Sequence, residues 1–237
     1  MNLFQISFLH ARFSLKGIMV FVILLSIYSC KPDEPGTPSD VGHDYFPAEV
    51  TRWMHYDVDS TVWDDFTGSV YQYSSQILEI TESTFFTSDG EMQYRLERYY
   101  RKDDTSQWVI KDVWQFSKTP FSVQRSEENV RFTKLSFPIK ANNTWDGNAL
   151  NYLPSETYSY QDIHQSALVG QQTYDSTVTV LHKNNINLIE EDIRYEVYAK
   201  HVGMIKKFTK TVRKKIEQPG VISGGVLVEY RLRSYGP

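Results

Sequence analysis

The sequence is poor in the residues on which most recognisable chemistry depends. It has one cysteine, Cys30, among 237 residues, so no internal disulfide and no cysteine-based zinc cluster can form. Beyond residue 29 it has five histidines, His43, His55, His164, His182 and His201, none within four residues of another. No H-x-H or H-E-x-x-H spacing exists, which leaves zinc chemistry without a motif. A G-x-S-x-G nucleophile elbow is missing, and so is the D-x-D-x-D-G spacing of a calcium loop. None of the 12 glycines makes a phosphate loop: "SGG" at 223–225 has no lysine or helical pattern after it. No apolar run approaches the roughly 20 residues of a membrane-crossing helix. Basic residues are not in excess either. The net charge is −4, and without residues 1–29 it is −6, from 23 basic and 29 acidic residues. That balance gives no reason to expect nucleic acid as a partner.

What is present begins with a leader. Arg12 and Lys16 precede an apolar stretch from Ile18 to Ile27, and no acid occurs before Cys30. Ten apolar residues after a basic segment read as a signal peptide. "Ile27-Tyr28-Ser29-Cys30" resembles the bacterial lipobox. The resemblance implies cleavage before Cys30, a diacylglyceryl group on its sulfur and an acyl chain such as palmitate on its amine. Several chains on one residue would anchor the protein stably in a membrane. Residues 30–44 are rich in Pro, Gly, Ser and Asp and read as a flexible, partly extended tether. "CKPDE" is similar to the surface-export signal of Bacteroidota lipoproteins. The expected organisation is a signal peptide at 1–29, a lipid-anchored tether at 30–44 and a folded body at 45–237. The expected address is the outer membrane, with exposure at the cell surface.

The body reads as all-β. Aromatic residues reach 14%, and large rings suit pleated sheets. From Met54 the chain alternates: Met54, Tyr56, Val58, Ser60 and Val62 share one face. "DDFTG" (64–68) and Asp89-Gly90 are turn chemistry. Strands are expected near 69–86, 91–101, 107–117, 121–125, 130–135, 158–168, 174–182, 193–200, 204–212 and 226–233. In the third of these, Trp108, Ile110, Trp114 and Phe116 share a face with Asp112. Residues 141–156 read as a long loop with Trp145 tucked in, and "KNNIN" (183–187) as a turn. No stretch shows a convincing helical stripe. So many strands at short spacing predict a single antiparallel curved sheet, closed as a barrel or half-barrel, with a sandwich as the alternative.

The order of "YFPAEVTRWMHYDVDS", "NNTWDG", "YAKHVGMIKK" and "VEYRLRSY" resembles that of uncharacterised Bacteroidota outer-membrane lipoproteins. The resemblance covers most of residues 45–235 and implies a curved, incompletely closed antiparallel sheet. It carries no activity with it. His201 stands where such sequences have glycine, while Gly203 is free to adopt a positive φ in the turn.

Three groups of residues are candidates for function. Ser60 and Ser176, in "DST" triplets, resemble acceptors of Bacteroidota O-glycosylation. Lys206, Lys207, Lys210, Arg213, Lys214 and Lys215 form a run without acids. They suit an anionic lipid or polysaccharide surface, or an edge strand that uses lysine against edge pairing. Trp53, Trp63, Trp108, Trp114 and Trp145 suit a core or a sugar-binding or apolar cavity. Acid runs at 64–65, 103–104 and 190–192 fall in turns, where solvation explains them. A glycan hydrolase is therefore a remote reading. The leading expectation is a non-catalytic, lipid-anchored envelope protein that binds an apolar or amphipathic ligand, a lipid or a glycan, in the concavity of its sheet. The alternative is an adaptor subunit that contacts an envelope protein. No cofactor and no metal is expected.

Overall fold

The computed structural model describes residues 40–218 and 220–237. Cys30, the leader and most of the tether lie outside the described residues. Among the described residues, twelve strands follow one short 3-10 turn at His43–Tyr45. They are β1 (Trp53–Trp63), β2 (Val70–Phe86), β3 (Met92–Arg101), β4 (Val109–Lys118), β5 (Ser122–Glu127) and β6 (Val130–Ser136). They continue as β7 (Thr144–Asp146), β8 (Thr157–Val169), β9 (Gln172–Ile186), β10 (Glu190–Ala199), β11 (Gly203–Lys214) and β12 (Ile222–Gly236). All belong to one sheet, in the order β6-β5-β4-β3-β2-β1-β12-β11-β10-β9-β8-β7. Pairing is antiparallel throughout, and only the β1–β12 contact joins strands distant in sequence.

The sheet curls until its edges β6 and β7 meet, which leaves a nearly closed barrel. Bonds across the seam include those in which Thr133 N–H donates to Gly147 O at 2.9 Å and the Trp145 indole N–H donates to Thr133 O at 2.8 Å. Trp145 thus lies in a loop region, as its surroundings predict, but on a three-residue strand that seals the barrel. Gly147 is required beside it. A Cβ there would lie 2.3 Å from the Tyr158 ring.

Curvature has a local cause. β-Bulges bend a strand and increase its twist, and one extra residue occurs in each of several strands. Lys134 is extra in β6, His182 in β9 and Ile205 in β11. Each of these three is buried. Lys111 is the extra residue in β4, and it corrects one expectation. Arg98 opposes Asp112, but the next residue, Tyr99, opposes Ile110. Ile110 therefore leaves the face of Asp112, Trp114 and Phe116, and it is exposed.

The expected inward face of β1 is present, with Tyr56 and Val58 buried. Asp64 makes the first turn by accepting bonds from the N–H groups of Phe66 and Thr67. "KNNIN" is not a turn: β9 runs to Ile186, and the reversal is made by Asn187, whose side chain accepts from the N–H groups of Ile189 and Glu190.

One end of the barrel is plugged. Residues 40–44 belong to the folded unit and not to a loose tether. Val41 packs on the core, Tyr45 is fully buried, and Asp44 O accepts the His201 N–H at 2.7 Å. The apolar core under this plug includes Tyr56, Ile77, Leu135, Val178, Tyr198 and Ile205. The β10–β11 turn also lies here, and both His201 (φ 61) and Gly203 (φ 104) take positive φ.

Candidate functional site

Beyond the apolar core, the barrel interior is ionic. Inward positions of β2 to β6, β10 and β11 supply Glu79, Arg98, Asp112, Arg125, Glu127, Lys134, Glu196 and Lys207. Arg98 bonds Glu79 and Asp112, each at 2.9 Å, and its guanidinium lies 3.5 Å from the centre of the Trp114 ring. Arg125 bonds Glu127 at 2.7 Å. Lys134 bridges Glu127 at 3.0 Å and Glu196 at 2.8 Å. Glu196 is fully buried and also accepts the Tyr198 hydroxyl at 2.7 Å. Lys207 stands 3.7 Å from both Glu127 and Glu196. Four cations thus face four carboxylates.

The electrostatics follow from that balance. Burial opposes ionisation of Glu196, but the charge of Lys134 and its neighbours outweighs burial and holds the carboxyl far below its usual range. Burial likewise opposes charge on Glu127, and Arg125, Lys134 and Lys207 pull its carboxyl well below normal. Lys134 is pushed down by burial but raised on balance by Glu127 and Glu196. His182 goes the other way. Burial lowers it to about 3, despite Glu196 nearby, so it is neutral at physiological pH. Its ring stacks on Tyr158 at 4.0 Å, and burial pushes the Tyr158 hydroxyl up to about 12. A general acid at neutral pH needs a raised carboxyl pKa, and Glu127 and Glu196 both move down.

The interior is nearly full. A cavity of about 50 Å³ lies by Tyr56, Met54 and Arg125, and one of about 140 Å³ lies beside His182. A hollow of about 420 Å³, lined by His43, Glu49, Arg52 and Lys118, is a groove at the plugged end.

The residues singled out in the sequence are scattered. His55 lies against Trp108 and Gln76, His164 bonds the Tyr45 hydroxyl at 2.9 Å, and only His182 enters the ionic interior. Ser60 sits mid-strand between Tyr73 and Val228. The Ser176 hydroxyl is 3.0 Å from that of Tyr45. β11 is a central strand, so its lysines do not protect an edge. Lys206 pairs with Glu229 at 2.8 Å, Lys210 and Lys214 with Glu191, and Arg213 with Asp65. Lys207 points inward, and Lys215 lies at the start of the β11–β12 turn. Sequence reading missed the ionic interior because Lys134 and His182 are bulge residues, which break the two-residue period. The one available signal was Asp112 amid aromatic residues on an apolar face.

No family model matches the chain, and no curated protein matches it. Two solved structures are similar. One is an exported protein with a YmcC-like fold from Bacteroides fragilis, at 10% identity and a TM-score of 0.40, over 81% of this chain and 98% of that one. The other is described as a lipoprotein from Parabacteroides distasonis, at 12% identity and a TM-score of 0.39, with the same coverage. Likenesses at that level establish neither a shared fold nor a shared function.

Proposed function

We propose that the protein is a lipid-anchored, non-catalytic component of the cell envelope that holds a partner at the rim of its barrel far from the anchor. The lipobox-like sequence ending at Cys30 supports the anchor. Chain preceding Asp40 joins the body at the plugged end, so a lipid on Cys30 would put that end toward the membrane.

The observation that carries the adaptor reading is the contrast between the interior and the far rim. The interior cavities are well short of the roughly 300 Å³ or more of an ordinary ligand pocket, which disfavours an apolar chain in the concavity. At the far rim, large apolar residues stand in solvent: Phe66 is 97% exposed, Leu188 83% and Ile216 79%. Strand order β2-β1-β12-β11-β10-β9 sets their three turns side by side. Adjacent exposed apolar tips mark an interaction surface. Inside the barrel, Glu127 and Glu196 are matched by cations that hold their carboxyls well below the usual range, the opposite of what a general acid needs, which supports a non-catalytic role.

The test is native electrophoresis of the protein extracted gently from its own membranes. Wild type should migrate within a larger complex, and a Phe66→Glu, Leu188→Glu, Ile216→Glu variant as the free chain. Wild type migrating as the free chain would overturn the adaptor reading. The anchor has a separate test: a Cys30→Ala protein should leave the membrane fraction, and its retention there would count against lipidation.

A further inference from the structure

The cavity beside His182 has features that neither the rim nor the stability of the barrel requires. It measures about 140 Å³ and lies between Phe132, Tyr158 and Phe208 on one hand and Glu127, Lys207 and Thr209 on the other. His182 lines it and is more than nine-tenths buried, yet its Nε2 has no hydrogen-bond partner and stands 3.7 Å from Glu196. An unpartnered buried polar atom is costly and rare enough to call for an explanation. Lys207, about a quarter exposed, lines the same cavity with its ammonium open to a ligand. Its ammonium is 3.7 Å from two carboxylates, beyond hydrogen-bond reach of either.

Charge restricts the occupant. Lys134, Lys207 and Arg125 face Glu127 and Glu196, with Glu79 3.9 Å from Arg125 completing the balance, and Arg194 at the margin is already held by Glu156 and Asp192. A phosphate or sulfate would gain nothing from a neutral site and would meet two carboxylates. A divalent cation would meet two lysines. A hydroxyl group suits the site, because it donates to a carboxylate or imidazole nitrogen and accepts from an ammonium. Several hydroxyls on one ring would meet the carboxylate, ammonium, imidazole and threonine hydroxyl together. The aromatic side chains offer apolar surface to the C–H groups of such a ring.

We propose that this cavity binds one neutral, hydroxyl-rich ring of monosaccharide size, either a free sugar or the terminal unit of a glycan. The site is separate from the rim, so either proposal can fail without the other.

The test is NMR of the histidine ring resonances of the purified protein during titration with D-glucose, D-galactose and N-acetyl-D-glucosamine. Each is used free and as the end unit of a trisaccharide, with inorganic sulfate in parallel. At least one sugar should shift the His182 signal, with a dissociation constant of roughly 1–10 mM, as the small ligand size implies. Equal binding of the trisaccharide assigns a glycan end, and binding of the free sugar alone assigns a monosaccharide. Lys207→Met should weaken binding at least tenfold, as about 1.4 kcal/mol would. Thr209→Val, a milder change, should weaken it measurably if the first variant fails to fold. Three results would overturn the proposal. One is no shift with any sugar at tenfold excess over that range. Another is tighter binding of sulfate. The third is a shift at His43 or His201 without one at His182.

Discussion

Acidification should destabilise this barrel well above the range where carboxylates titrate, and His182 should be the cause. Burial lowers its pKa to about 3 in the folded state, while an imidazole in an unfolded chain titrates near 6.5. Between those values the unfolded chain binds a proton that the folded chain excludes. The stabilisation is therefore complete above about pH 6.5 and is lost progressively as pH falls toward 3. Linkage gives a loss of about 2 kcal/mol at pH 5 and about 3 kcal/mol at pH 4. That is a large share of a typical domain stability of about 5–15 kcal/mol. Urea unfolding, followed by tryptophan fluorescence from about pH 7.5 to 4, measures it. His182→Phe keeps a ring against Tyr158 and removes the titration. Whatever the variant costs at neutral pH, its stability should fall about 2 kcal/mol less than that of wild type by pH 5. Parallel pH curves for the two proteins would refute the reasoning and would assign the loss to groups that both retain, the buried glutamates among them.

Three further outcomes are expected. Glu196→Gln leaves the buried Lys134 with Glu127 as its one close carboxylate, an excess of buried positive charge that should cost about 3 kcal/mol; adding Lys134→Met should recover part of that in the same unfolding assay. Gly147→Ala puts a methyl against the Tyr158 ring and should cost about 1–3 kcal/mol or more, with partial relief from Tyr158→Leu as the check on the cause. Trp145→Phe removes the indole bond to Thr133 and should cost about 1 kcal/mol, accompanied by faster amide exchange at Thr133 as the seam loosens.

How much of this was open to a reader of the sequence depended on whether the two-residue alternation held. Eleven strands were visible in outline, because each has a continuous extended pattern bounded by turn residues. β7 was not, since three residues carry no period. Ile110 was put on the wrong face and Lys134 and His182 were not seen as interior, all because a bulge inserts one residue and reverses parity. The glutamates and lysines of the interior looked like solvated charge, which is the usual fate of such residues in half-exposed strands.

The sequence alone settled the all-β class and the turns at Asp64 and Asp89-Gly90. Those depend on composition and local geometry, which neighbours in the chain dictate. Closure across β6 and β7, the balance of four cations against four carboxylates, and the burial of His182 were decided only by the tertiary structure. They bring together residues from β2 to β11, and no local pattern records which charges will share one low-dielectric space. Even the lysine run of β11, so conspicuous in the chain, takes its meaning from partners on neighbouring strands and turns.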